Sequence, residues 1–202
     1  MNSYLHSKIS AARRGGSIED YLPLHNFMDS TKILCSDNRH RILHTMWGIQ
    51  KVVVPIFGIN LEVAGKQLNV KDICEQDHIL PDYQNKFIPT LSDFVSAIDA
   101  SLDHSIHFEE VINTYVHIPE VHDLLISPFY VTGMKRSLLI TTNSWFIGAI
   151  LPQIFPDLDL PIWQEFSIYP SYLFENMDFK LWMDNGNAYP ESARKIAERI
   201  IA

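Results

Sequence analysis

"INLEVAGKQLNVKD", residues 59–72, is the one stretch whose pattern departs from everything around it. Two short runs flank Ala64-Gly65-Lys66, and a turn signal between two strand-like runs predicts a β-hairpin. Outward in both directions the pattern is helical. Upstream, Leu5, Ile9 and Ala12 recur at helical spacing, and Gly15-Gly16 stops that helix. In "YLPLHNFMDSTKIL", residues 21–34, Leu24, Phe27, Met28, Thr31 and Leu34 mark one face, and Pro23 suits a first helical turn. Asp37 stands where it can cap a further helix, in which Ile42, Met46, Ile49 and Val53 share a face until Pro55 and Gly58 end it. Downstream, "DICEQDHI" reads as a short helical turn stopped by Pro81, and "TLSDFVSAI" opens with Thr90 and Asp93 as a capping box. Further helices are expected at 105–116, 120–126, 133–151, 171–184 and 190–201, with a proline-rich loop at "LPQIFPDLDLPIW". The expected fold class is therefore mainly α: a compact helical domain with one small β-hairpin around residues 59–72. Residues 1–202 read as a single domain. A soft internal boundary lies near residue 100, where a histidine-rich region gives way to helices alone.

Composition narrows the function classes. A chain of 202 residues with 47% hydrophobic content can bury a sizeable core. Its net charge of −8 argues against general nucleic-acid binding, which needs a basic surface. Lys8, Arg13 and Arg14 read as a helix end complementing the helix dipole. The most apolar long run, "SLLITTNSWFIGAILPQIF", is broken by Thr141, Thr142, Asn143 and Pro152, so no membrane span of about 20 apolar residues is expected. Two cysteines, Cys35 and Cys74, and no signal-peptide pattern suggest a soluble, cytoplasmic chain with free thiols. The aromatic-rich stretch "PIWQEFSIYPSYLFENMDFKLWMD" is read as core or as an interface in a homo-oligomer.

The histidines carry the chemistry. His25 and Asp29 are four apart, as are His40 and His44; Glu75 and His78 are three apart, and Asp82 follows His78 by four. On a helix such pairs point the same way, and facing helices build metal sites from such pairs. Imidazole with carboxylate suits Zn, Mn, Fe or Ni. For a single pair an ordinary solvated helix face is the better explanation; the three pairs together bring the two readings level. His6, alone on the first helix, reads as a surface or cap residue. His104, His107, His117 and His122 stay outside the proposed site. Lys32, Arg39 and Arg41 accompany the would-be ligands, and cations beside a metal imply an anion such as phosphate.

Several segments, "GGSIEDYLPLHNFMDSTK", "DNRHRILHTMWGI", "EQDH" and "IPTLSDF", resemble a group of small uncharacterised proteins from bacteria and bacteriophages. The resemblance covers roughly residues 15–95. It implies that His25, Asp29, Lys32, Arg39, His40, Arg41, His44, Glu75, His78 and Asp82 belong to one site. Asp77 departs from the group's pattern by standing between Gln76 and the histidine.

The functional expectation is a metal-dependent hydrolase acting on a phosphoester or nucleotide. His25, Asp29, His40, His44 and His78 would hold one or two divalent ions. Glu75 or Asp82 would act as general base or orient a ligand. Lys32, Arg39 and Arg41 would hold the phosphate. Two alternatives use the same residues: a non-enzymatic protein binding an anionic ligand or partner, and an oligomeric structural component.

Overall fold

The structure, a computed structural model, describes residues 1–105, 108–161 and 168–178. It is mainly helical, and its one sheet among the described residues is a two-stranded antiparallel hairpin. The described residues divide into two units, one within Met1–Thr90 and the other within Leu91–Phe179.

The first unit begins with helix α1 (Ser3–Arg14), capped by the Asn2 side chain accepting from the Leu5 N–H. Helix α2 (Ile18–Met28) starts at Ser17 with a capping box closed by Asp20. Pro23 therefore lies inside α2, not in its first turn as its sequence position suggested. Two 3-10 segments follow, Ser30–Ile33 and Asn38–Leu43, the second capped by the Asp37 carboxylate. The continuous helix expected from Asp37 onward is broken at His44–Thr45. Thr45 extends and caps a new helix at 46–57, labelled α3. Inside α3 a π segment, Ile49–Val53, joins two short α stretches.

Strands β1 (Asn60–Val63) and β2 (Lys66–Asn69) pair from Asn60↔Asn69 to Val63↔Lys66. The two linking residues have positive φ, Ala64 at 50° and Gly65 at 74°, the combination that a two-residue hairpin turn matching strand twist requires. Val63 is buried, and Gly16 makes room for it: a Cβ at Gly16 would stand 2.3 Å from Val63 Cγ1. The hairpin thus docks at the turn between α1 and α2. The Val70 N–H closes it by donating to the Ile59 carbonyl. A helix at 70–82, labelled α4, starts at once, capped by Asn69, with Cys74–Ile79 in π geometry. Around these elements pack Tyr21, Leu24, Met28, Ile42, Leu43, Ile49, Ile73 and Ile79, all buried.

The second unit holds shorter helices, among them Leu91–Val95, Leu102–Ser105 and Glu109–Thr114, with Pro119–Thr132 its longest. Gly133 ends the last in the left-handed conformation. The helix expected over 133–151 is instead a 3-10 segment, Lys135–Ile140, then a π-to-α stretch from Phe146 to Ile154 that runs into the predicted loop. The expected helix at 190–201 lies outside the described residues, as does most of 171–184 beyond Pro170–Glu175. No helix among the described residues is long and apolar enough to cross a membrane.

Candidate metal centre

Helix α1 turns its polar side inward. His6, Ser7 and Ser10 are buried, while Leu5 is 43% exposed. The apolar repeat of this helix is thus not its packing face. The reason is what lies opposite: the α4 backbone and Asp77 offer His6 and Ser10 the hydrogen bonds that make burying them affordable. Helix α2 contributes His25 and ends on Asp29, its C-cap. The segment Asn38–Leu43 brings His40 and Arg41, with His44 as its C-cap. Helix α4 brings Asp77, His78 and Asp82. A π turn holds more residues than an α turn, so Asp77 is taken up without displacing His78 and Asp82 from a common side.

Donor and acceptor chemistry fixes the imidazoles. His6 Nδ1 lies 2.9 Å from the Asp77 carbonyl oxygen, which can only accept, so Nδ1 donates and Nε2 is the ring nitrogen turned to the cluster. That Nε2 has no hydrogen-bond partner among the described residues and stands 3.3 Å from Asp82 Oδ1. His40 repeats the device. Its Nδ1 donates to the Asp37 carbonyl, and its unpartnered Nε2 lies 3.8 Å from Asp29 Oδ1. A chain of contacts fixes His78. Ser10 Oγ donates to Asp77 Oδ2 at 3.1 Å, so its oxygen accepts from His25 Nε2 at 2.9 Å. His25 Nδ1 is then an acceptor and takes the proton of His78 Nδ1 at 2.9 Å. This leaves the His78 Nε2 lone pair facing His44 Nε2 at 2.9 Å and Asp29 Oδ1 at 3.6 Å. Metal-ligating histidines characteristically give their other N–H to a carbonyl or a carboxylate-linked partner. His6 and His40 follow that pattern directly, and His78 follows it through His25, Ser10 and Asp77.

Burial pushes His25 down to about 2, with His78 and His6 adding to the effect; burial likewise takes His44 to about 4 and His78 to about 3. These three rings are neutral, as a ligand must be. Burial acts to raise Asp29, but His40, His78 and Lys32 outweigh it and hold the carboxyl well below the usual range. At Asp82, His44, His6 and Arg41 outweigh burial in the same way. Lys32 Nζ is 2.8 Å from Asp29 Oδ1, and the Met1 amine is 2.6 Å from Asp82 Oδ1. Asp77 is held by Arg13 and Arg14.

Of the residues singled out from the sequence, the structure gathers Asp29, His40, His44, His78, Asp82 and His25 in one buried cluster. The solvated-face explanation is therefore overturned for all of them. His25 has both ring nitrogens engaged, by Ser10 and His78, so it stands behind His78. Lys32 and Arg41 border the cluster, Arg41 lying 3.8 Å from Asp82 Oδ2 and over the Tyr83 ring. Arg39 is bound in a fork to Asp37, and Glu75 pairs with Lys71 at 3.1 Å. Sequence reasoning set His6 aside and missed Ser10 and Asp77. The available signal was the spacing of His6, Ser10, Arg13 and Arg14, a polar stripe along one side of α1. His104 and His117 are exposed and His122 is partly exposed, so these form no second cluster; His107 lies outside the described residues.

Two groups of potential ligands emerge, His6 with His78 and Asp82, and Asp29 with His40 and His44; within each, the ligand atoms lie within 4.8 Å of one another. Cys35 and Cys74 are both free thiols, as expected. No curated protein and no solved structure matches the chain. A family model does match, over residues 1–102, a span that contains every residue of this cluster, and the chain thereby belongs to the family described as domain of unknown function DUF6915.

Proposed function

We propose that this protein is a metal-dependent hydrolase of phosphoesters or nucleotides. One observation carries the reading: buried imidazoles, each anchored through Nδ1 to a backbone carbonyl, whose Nε2 atoms face buried carboxylates. Two imidazoles and a carboxylate converging in this way, twice over, form ligand sets suited to a divalent Zn, Mn, Fe or Ni ion. A bound ion lowers the pKa of a coordinated water, which supplies a nucleophile at neutral pH. Asp82, expected from the sequence as a base, stands where a ligand would, beside His6 and His44. Glu75 retains the role of base only if it leaves Lys71. Lys32 and Arg41 are the side-chain cations bordering the centre for a substrate phosphate, with the Met1 amine beside Asp82, and Arg39 would need to exchange Asp37 for that phosphate.

The test is turnover by metal-loaded protein of p-nitrophenyl phosphate mono- and diesters and of nucleotides. Activity should disappear with chelator and with Asp29→Asn, and return when metal is restored to the wild type. Metal-loaded protein that hydrolyses none of these substrates would refute the hydrolase reading. A second reading, a binding protein in which ions tie the segments together without turnover, is favoured by the near-complete burial of the cluster.

A further inference from the structure

We infer that the centre takes two divalent ions, one held by His6, His78 and Asp82, the other by Asp29, His40 and His44. The inference rests on the metal-binding part of the preceding reading and extends it in ion number, in ligand assignment and in making His6 a ligand.

Each set consists of two imidazoles and one carboxylate. That composition leaves coordination positions open and is used by catalytic zinc sites and by non-haem iron sites alike. Ligands at 2.0–2.2 Å from one ion lie at most about 4.4 Å apart. The ligand atoms of each set lie within 4.8 Å of one another, so an ion needs at most a few tenths of an ångström of closure.

The number of ions follows from which groups a single ion leaves unsatisfied. The two sets share no residue. His6 Nε2 and His40 Nε2 are both buried, both lack a hydrogen-bond partner among the described residues, and each faces its own carboxylate, Asp82 and Asp29. An ion at one set leaves the Nε2 of the other buried without a hydrogen-bond partner. Leaving a buried polar group unsatisfied costs about 1–3 kcal/mol, and more where charge is involved. Lys32, Arg41 and the Met1 amine offset the carboxylates but give neither Nε2 a hydrogen-bond partner.

The sets also abut. His78 Nε2 of the first is 2.9 Å from His44 Nε2 of the second, and His44 Nε2 is 3.4 Å from Asp82 Oδ2. Ions in the two sets are therefore neighbours. Paired ions of this kind clamp both the attacking and the leaving oxygen of a phosphoryl group, which is chemistry that serves the proposed function.

The experiment is titration of metal-free, untagged full-length protein with Mn(II), followed by equilibrium dialysis with elemental analysis and by electron paramagnetic resonance. Wild type should bind two equivalents, with an exchange-coupled signal at saturation in place of that of isolated Mn(II). His6→Gln and His40→Gln should each bind one equivalent and give the uncoupled signal. His104→Gln, at an exposed site in the other unit, should bind two. Circular dichroism and thiol accessibility establish that each variant folds. If a variant does not fold, the wild-type stoichiometry and coupling decide alone. A single equivalent in wild type, or two that show no coupling, overturns the inference and leaves a mononuclear hydrolase standing. Two coupled equivalents without turnover of any substrate overturn the hydrolase reading and leave the inference intact. No binding at all overturns both.

Discussion

His6 and His40 lie in different elements yet share one local construction. In both, Nδ1 donates a hydrogen bond to a backbone carbonyl and Nε2 turns toward a buried aspartate. Three further rings, His25, His44 and His78, are buried and neutral. This has a consequence for pH. In the unfolded chain each ring titrates near 6.5, whereas in the folded protein the three titrate at about 2, 4 and 3. Above pH 6.5 they are neutral in both states and contribute nothing to the pH dependence. Below it the unfolded chain takes up protons that the folded protein refuses, so stability falls as pH drops, by up to about 1.4 kcal/mol per pH unit for each ring. Urea unfolding of metal-free protein at pH 7.5, 6.0 and 5.0 should show a steep loss over the lower interval. Equal stability at pH 7.5 and 5.0 would mean the rings are not buried in neutral form. A related expectation concerns Ser10, which fixes the tautomers of His25 and His78 without reaching a ligand position. Ser10→Ala should weaken metal binding roughly 10- to 100-fold, the usual loss when a partner behind a ligand is removed. Competition with a chelator measures this, and an unchanged affinity would separate Ser10 from the centre.

At the scale of elements, the hairpin was legible because its turn needs positive φ at two adjacent residues and Ala64-Gly65 lies between two strand-like runs. The pairs Asp29–His25, His40–His44 and His78–Asp82 were legible as spacings. Their geometry was not. His40 and His44 reach Asp29 from a 3-10 segment kinked at Arg41, not from one α-helix. The orientation of α1 was also hidden. Its apolar residues suggest the packing face, but tertiary hydrogen bonds to Asp77 reverse that preference. Gly48 shows a constraint that only the fold reveals. A Cβ there would lie 2.7 Å from both the Cα and the carbonyl oxygen of Leu43, which is backbone and cannot swing aside. Helix propensity alone would favour Gly48→Ala by about 1 kcal/mol. Overpacking costs about 1–3 kcal/mol, and against backbone it belongs at the upper end. The variant should therefore be destabilised, by about 1–2 kcal/mol net, and the shift should loosen His44, next to Leu43, along with it. A urea midpoint equal to or above wild type would show that α3 can move away from the histidine segment without cost.

Across the whole molecule, the distribution of thiols supplies a way to watch one unit alone. The chain has two cysteines, Cys35 and Cys74, and both fall within Met1–Thr90, the unit that carries the candidate centre. Both are buried, and burial raises the Cys74 thiol well above its ordinary pKa, so Cys74 is unreactive until the unit opens. An ion that binds only the folded unit stabilises it by mass action, about 2.7 kcal/mol at a free concentration 100 times the dissociation constant. Where opening is fast relative to modification, the labelling rate follows the open population, so this stabilisation slows labelling about 100-fold. The expectation is that a thiol reagent modifies Cys74 slowly in metal-free protein and about 100-fold more slowly for each ion bound at that excess of Mn(II). The protection should be lost on adding chelator and much reduced in His40→Gln. The second unit contributes no thiol among the chain's two, so its own opening does not enter the measurement. If Mn(II) binds yet Cys74 is labelled at the same rate, the ions sit somewhere other than between α1, α2, the His40 segment and α4. Closing those four segments around an ion must raise the cost of separating them, and Cys74, inside α4 beside the ligand-bearing π turn, cannot be exposed without that separation.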